Sequence, residues 1–471
     1  MQNALDRRQF LVRSGLISGL ALTGTMGLTS CATSGGSKNG SQNTAAAGLK
    51  SAANPFGVSK TADGEIVVPS SGYGLEWAKQ DIAAFNKAFP GPKIKMSVIT
   101  DMVVTMQARF LKGNPPDFVL PAELDTVTLA GQHQLTDLTE FYNTPALGFP
   151  GLTIGDSMLP GAVDAAKITG DKPLVVQYAY LVEGIWYSKK IFDERGWAYP
   201  KTWDEMLALC AEIKKAGMAP LAYQGKYPSY LVWPLLMMAI KADGREAMNN
   251  IDNLEPNAWS QPGIKAAAAA IAELRGKGYF LPGTEALSHT ESQTYWAQGK
   301  AAMIPCGGWL ENEMGDVIPK DFQVTMAPTP SLTRSDKMPF ETIAGGATGG
   351  FFVPAQAKNP ALGLEFMREM LSKEGAARFA KLTKTLVSVK DYAGNLDISP
   401  GFNTQAALAK NAGENVLFWK WEGWYAEMSK SIRDVTGALA SGVITADQFC
   451  KKAQSIADAT AKDTTIVKQH V

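Results

Sequence analysis

Residues 187–205, YSKKIFDERGWAYPKTWDE, carry the local signals that decide the fold class. Ser188 suits the N-cap of a helix over residues 189–195. Thr202 and Glu205 form a capping box that begins a second helix, which runs to residue 215 and stops at Gly217. A β-rich run over residues 174–187 lies directly before them. The stretch therefore predicts a long strand followed by two helices.

The same alternation of strands and helices continues on both sides of this stretch. Upstream, the pattern predicts strands at residues 64–70, 94–99 and 118–120, and helices at residues 75–89 and 102–111. Downstream, it predicts helices at residues 228–242, 259–275, 291–298, 362–371, 374–382, 423–439 and 446–461. Such alternation is typical of α/β architecture, and it occurs twice along the chain.

The two alternations predict two lobes joined by several crossovers. We expect the first lobe to comprise residues 55–178 and 328–385, and the second lobe residues 179–327 and 386–471. A chain of 471 residues is long enough to form two such cores.

Composition excludes several classes of protein. Lys and Arg together number 45, and so do Asp and Glu, so no net charge is available to attract nucleic acid. Hydrophobic residues make up 45% of the chain, which excludes a disordered protein. After residue 28, no apolar run is long enough to span a bilayer. We expect no nucleic acid among the partners.

The first 54 residues predict export and anchoring. Arg7 and Arg8 precede Phe10 and an apolar run over residues 16–28, which predicts an export signal over residues 1–30, either of the twin-arginine type or an ordinary Sec signal. Cys31, after small residues, resembles the lipidated cysteine of a bacterial lipobox. Residues 31–54, rich in Ser, Gly and Asn, predict a flexible tether. The protein is therefore expected on the outer face of the cell membrane, held by a lipid.

The other cysteines give no framework for a metal or a disulfide network. Cys210, Cys306 and Cys450 are scattered, and none forms a Cys-x-x-Cys pair. One pair among the three remains possible. The three histidines, His133, His289 and His470, lie far apart, so the sequence predicts neither a metal site nor a cofactor.

Four segments, in order along residues 55–462, together resemble the bacterial extracellular solute-binding proteins of carbohydrate ABC importers. These are residues 113–117 (GNPPD), residues 187–205, residues 298–303 (QGKAAM) and residues 307–309 (GGW). The resemblance implies a periplasmic-binding-protein-like fold with the ligand cleft between the lobes. It also implies a monomer that catalyses nothing, closes around a sugar and delivers it to the subunits of a membrane permease.

Further segments resemble one actinobacterial subgroup of that family. They are residues 54–57 (NPFG), 223–228 (YQGKYP), 282–293 (PGTEALSHTESQ) and 305–314 (PCGGWLENEM). This subgroup binds N-acetylglucosamine and its β-linked dimer, diacetylchitobiose. The resemblance therefore implies one or both of these sugars as the ligand.

Aromatic and acidic residues supply the candidate ligand contacts, because rings pack on the C–H faces of a sugar and carboxylates bind its hydroxyls. By the family pattern, Tyr230 and Trp309 fall where sugar-stacking rings lie, Trp424 is a further stacking residue with Trp421 as its alternate, and Tyr73 and Gly346 lie in loops that meet ligand. The remaining candidates are Tyr227, Trp233, Glu123, Asp125, Tyr180 and Glu311.

Each candidate has a competing interpretation. Tyr230 and Trp233 could instead form a core stripe, and Trp421 or Trp424 could simply pack under a helix start. Tyr180 and Glu183 alternate along one strand, so at most one of them faces the cleft. An exported chitin-oligosaccharide hydrolase is the alternative function, although the chain has no G-x-S-x-G or H-E-x-x-H motif. A cell-surface adhesin would explain the lipid anchor but not the four ordered segments.

Overall fold

The computed structural model describes residues 48–70, 73–122, 124–392 and 397–471. The predicted export signal, Cys31, residues 31–47 of the tether and Glu123 lie outside these residues. No helix within the described ranges is long and apolar enough to cross a membrane.

Strands and helices alternate through the described chain. The strands are β1 (Asp63–Pro69), β2 (Lys93–Ile99), β3 (Phe118–Val119), β4 (Ala179–Ser188), β5 (Ala219–Leu221), β6 (Ala301–Gly307), β7 (Val324–Ala327), β8 (Ile343–Thr348) and β9 (Val416–Leu417). The helices up to the second sheet are α1 (Glu76–Ala88), α2 (Met102–Leu111), α3 (Thr126–Gly131), α4 (Thr139–Tyr142), α5 (Ile154–Ser157) and α6 (Ala162–Ala165). The later helices are α7 (Lys189–Arg195), α8 (Trp203–Lys215), α9 (Ser229–Asp243), α10 (Arg245–Asp252), α11 (Pro262–Gly276), α12 (His289–Ala297), α13 (Leu310–Glu313), α14 (Pro360–Met370), α15 (Lys373–Thr383), α16 (Pro400–Ala412), α17 (Trp421–Trp424), α18 (Ala426–Ala440) and α19 (Ala446–Lys462).

The strands form two sheets, one for each lobe. The first sheet is parallel, in the order β2-β1-β3. The second has the order β5-β6-β4-β8-β9, and β7 pairs with the far half of β4 beside β8. Strand β4 runs antiparallel to β6, β7 and β8, whereas β5 is parallel to β6 and β9 to β8. The expected two-lobe α/β fold is therefore confirmed.

Three chain segments cross side by side between the two sheets. The Val176 N–H donates to the Phe351 carbonyl at 2.7 Å, and the Ser388 N–H donates to the Tyr178 carbonyl at 2.7 Å. These hydrogen bonds join the segment before β4 to the segment after β8 and to the segment near residue 388. Crossovers of this kind are suited to a hinge, because a few residues can absorb the rotation.

The lobe boundary expected at residue 328 is wrong. The Ser331 N–H donates to the Lys201 carbonyl, and the Met338 N–H donates to the Lys241 carbonyl, so this segment packs on α8 and α9. Strand β8 then pairs with β4 in the second sheet. The chain therefore returns to the first lobe only after Thr348. The glycines of β8 favour a turn when the sequence is considered alone, but backbone pairing with β4 stabilises a strand there.

Two hydrophobic cores hold the elements. One surrounds the first sheet and continues under one face of the second sheet, where Trp186 is fully buried. The other lies between the opposite face of the second sheet and helices α8, α9, α11, α18 and α19, with Ile185 pointing into it. Cys210, Cys306 and Cys450 are unpaired and buried, and burial raises the pKa of Cys210 to about 12.

Both caps expected in residues 187–205 are present. The Ser188 side chain accepts a hydrogen bond from the Ile191 N–H at the start of α7, and Thr202 and Glu205 form the capping box of α8.

Replacing Thr202 by Ala removes the side-chain cap of α8, so we expect the free energy of unfolding to fall by about 1 kcal/mol. Urea unfolding followed by tryptophan fluorescence measures the change. Glu212→Ala, on the exposed side of the same helix, serves as the control and should change stability by less than about 0.5 kcal/mol. Equal losses in the two variants would contradict a specific role for the cap.

Candidate functional site

The loops that carry most of the candidate residues leave one edge of the second sheet. Strands β5, β6, β8 and β9 point the same way, so their carboxyl ends lie at the edge where β4 begins. The loop after β5 leads to Tyr230, the loop after β6 leads to Trp309, and the loop after β9 leads to Trp424. The crossovers to the first lobe start from this same edge. In open α/β sheets, ligands bind at the carboxyl ends of the strands.

Tyr230, Trp233 and Trp309 form a half-buried group of rings at this edge, called the aromatic cluster below. The Tyr230 and Trp233 ring centroids lie 5.2 Å apart, and those of Trp233 and Trp309 lie 6.0 Å apart, in edge-to-face geometry. Burial raises the pKa of Tyr230. Rings that are neither in the core nor fully exposed provide flat apolar surface to a ligand.

Gly307 allows Trp309 to adopt this position. A Cβ atom at Gly307 would lie 2.3 Å from a carbon of the Trp309 ring, so any side chain there would displace the ring. Glycine is thus required at position 307, because the Trp309 ring approaches the strand too closely to leave room for a side chain.

Tyr227 lies beside the aromatic cluster but outside it. Its side chain is 48% exposed, and its ring packs against the edge of His289 with centroids 5.4 Å apart. Helix α12 begins at His289. No group of three or more potential metal ligands occurs among the described residues.

The other side of the edge carries Gly346 and Trp424. Gly346 has φ +139°, and a Cβ atom there would approach Phe418 at 3.3 Å. Trp424 is half-buried, with the Lys420 ammonium 5.6 Å from its ring centroid. Phe418, at the end of β9, is 46% exposed. Sequence reasoning did not select Phe418, because the short strand before it was not predicted.

Trp421, the alternate to Trp424, is a core residue. It is fully buried, and its ring stands perpendicular to that of Trp259 at 5.4 Å. The backbone N–H of Trp421 donates a hydrogen bond to the buried Asp252 carboxylate at 2.9 Å. The competing interpretation, packing under a helix start, therefore holds for Trp421.

Glu311 is likewise committed to the protein interior. Its carboxylate accepts hydrogen bonds from the Ser399 hydroxyl at 2.6 Å and from the Phe402 N–H at 3.1 Å. Only 6% of Glu311 is exposed. The side chain thus stabilises the beginning of α16, which was not expected from the sequence, and is not free for a ligand.

In the first lobe, two candidates lie after the carboxyl ends of β1 and β3. Tyr73 is half-buried against the edge of Phe379 at 5.4 Å, and burial raises its pKa. Asp125 is exposed and caps α3, accepting from the Thr128 N–H at 2.9 Å and from its hydroxyl. Both lie in loops at the edge of the first sheet.

Tyr180 and Glu183, weighed against each other on β4, have different surroundings. Tyr180 is half-buried at the crossover, and its N–H donates to the Leu386 carbonyl. Glu183 is only 6% exposed, and neither carboxylate oxygen has a hydrogen-bond partner among the described residues. Burial raises the pKa of Glu183 well above its ordinary value, and the nearby Glu422 raises it further.

Comparisons with known proteins show the family of this chain. The sequence model of the family described as bacterial extracellular solute-binding protein matches residues 70–377. The chain is 31% identical to the diacetylchitobiose binding protein NgcE of Streptomyces coelicolor, over 99% of this chain and 98% of that protein.

Solved structures share the fold. Ligand-free RafE from Streptococcus pneumoniae superposes with a TM-score of 0.70 at 19% identity, covering 85% of this chain and 98% of that one. A chitin oligosaccharide binding protein gives a TM-score of 0.64 at 20% identity, covering 82% and 94%. Since the family match spans more than half of the chain, and the likeness to NgcE spans nearly all of it, the chain belongs to the bacterial extracellular solute-binding proteins.

Proposed function

We propose that this protein captures N-acetylglucosamine, diacetylchitobiose or both between its lobes and delivers the sugar to the permease subunits of an ABC importer. The aromatic cluster at the carboxyl edge of the second sheet, beside the three crossovers, is the observation that carries this proposal. The similarity to NgcE over almost the whole chain supports the choice of sugar.

The binding step uses both lobes. A sugar ring stacks on Trp309 or Tyr230 in the second lobe, while Tyr73, Asp125 and the neighbouring Glu123 approach it from the first lobe. Contacts with both lobes form together only when the hinge closes, so the ligand shifts the equilibrium towards the closed form. The permease then recognises the closed form. The space between the lobes is also bordered by Trp424, Trp233, Tyr227, Tyr180 and Gly346. No cofactor takes part in binding.

The protein works outside the cytoplasm, held to the membrane by a lipid on Cys31. Two or more acyl chains make such attachment stable, whereas a single chain gives reversible binding. Residues 31–54 then serve as the tether that lets the binding unit reach the permease.

Titration calorimetry on the protein without residues 1–31 tests the ligand. We expect heat and a change in tryptophan fluorescence with diacetylchitobiose or N-acetylglucosamine, because the rings of the cluster contact the sugar. Raffinose, maltose and xylobiose serve as comparison sugars. Heat only with one of these would move the ligand to another saccharide, and release of monomer from diacetylchitobiose would favour the hydrolase alternative.

Trp309→Ala tests the aromatic cluster. We expect the Kd for the sugar to rise roughly 30-fold or more, because the stacking surface is lost. This corresponds to a loss of at least about 2 kcal/mol of binding free energy. Trp197→Ala is the matched control: this half-buried tryptophan follows α7, at the opposite end of β4. Comparable affinity in Trp309→Ala and the wild type would return Trp309 to a packing role.

Cys31→Ser tests the anchor. The acylated thiol is the attachment point in this proposal, so the variant should leave the membrane fraction of the cells and appear in the soluble extracellular fraction. Immunoblotting of the two fractions measures the change, with Cys210→Ser as the control. Membrane retention of the Cys31→Ser protein would contradict lipid attachment at this residue.

A further inference from the structure

Glu183 differs from the other buried carboxylates of the described chain. Both of its oxygens lack a hydrogen-bond partner. The other buried acids each have at least one: Asp81 pairs with Arg378, Asp117 accepts from the Glu65 and Asn359 N–H groups, Asp252 from the Lys420 and Trp421 N–H groups, Glu311 from Ser399 and Phe402, and Glu365 pairs with Arg368. A buried polar group without a partner destabilises a protein, so its presence in the fold requires a reason.

The sheet places Glu183 beside the aromatic cluster. Glu183 lies directly opposite Gly307 in the antiparallel β4–β6 ladder, and directly opposed residues project from the same face. The Trp309 ring lies against Gly307 on the side where its Cβ atom would project. The Glu183 side chain and the Trp309 ring therefore share one face of the sheet.

Both cross-strand neighbours of Glu183 are small residues. Gly307 is its neighbour on β6 and Ala344 its neighbour on β8. A small cavity borders Glu183, and Trp233 of the aromatic cluster forms part of its wall. No described residue makes a hydrogen bond to either carboxylate oxygen of Glu183.

We propose that Glu183 is a ligand-binding residue of this site, whose carboxyl group exchanges hydrogen bonds with a saccharide hydroxyl placed against the aromatic cluster. This inference rests on the proposed function. The saccharide hydroxyl supplies the partner that the protein itself does not, so the group that weakens the ligand-free protein strengthens the complex.

The charge state of Glu183 suits a neutral ligand. Burial raises its pKa well above the ordinary value, which shifts the equilibrium towards the protonated carboxyl. A protonated carboxyl has one donor and retains acceptor capacity, as a sugar hydroxyl does. A glutamine side chain offers the same two functions at nearly the same size, whereas methionine offers neither a comparable donor nor a strong acceptor.

The test compares Glu183→Met and Glu183→Gln with the wild type, using diacetylchitobiose and the comparison sugars in calorimetry and the melting temperature of the ligand-free protein. We expect Glu183→Met to bind about 10-fold more weakly or worse, with an unchanged or higher melting temperature. Glu183→Gln should stay within about threefold of wild-type affinity. Glu365→Gln, a buried glutamate of the first lobe, is the control and should leave the affinity unchanged.

Every other outcome contradicts the role proposed for Glu183, and the outcomes can be told apart. Wild-type affinity in Glu183→Met, with weakened binding in Trp309→Ala, removes the role of Glu183 and leaves the proposed function intact. A fall in the melting temperature of ligand-free Glu183→Met shows a structural role, and equal loss of affinity in Glu183→Gln contradicts the paired donor and acceptor. A wild-type protein that binds none of the sugars overturns the proposed function, and this inference with it.

Discussion

The backbone pairing of β4 is the constraint on which the rest of the second lobe depends. This strand hydrogen-bonds to β6 on one side and to β8 and β7 on the other, all antiparallel to it. The carboxyl ends of the remaining long strands therefore lie where β4 enters the sheet from the first lobe. The direction of one strand thus brings the aromatic loops and the crossovers to the same edge, which gives a ligand access to both lobes.

That edge combines features that a stable core would avoid. Trp309, Trp233 and Phe418 keep apolar ring surface in contact with solvent, and Glu183 is buried without a partner. Elsewhere the second lobe is well packed, with Trp259 and Trp421 fully enclosed between helices. Proteins commonly lose some stability where they bind ligands, because surfaces complementary to a ligand are unsatisfied in its absence.

Local sequence predicted much of the secondary structure. Helices α2 and α7 occupy the expected residues, and the capping box at Thr202 is formed as expected, because capping depends on residues three positions apart. Helix α16 was missed although Ser399 and Pro400 supply its N-cap and first turn. The short strands β7 and β8 could not be predicted reliably, because their stability comes from pairing with β4, and β4 is distant in the sequence.

The sequence by itself determined the α/β alternation, the helix caps, the resemblance to its family and the set of candidate aromatic residues. Tertiary structure alone decided which of those aromatics remain accessible. Trp421 and Trp424 lie three residues apart in one short helix, yet Trp421 packs against Trp259 while Trp424 stays half-exposed. Exposure depends on which distant elements cover a side chain, and Glu183 could be distinguished from Tyr180 only once its neighbours on β6 and β8 were known.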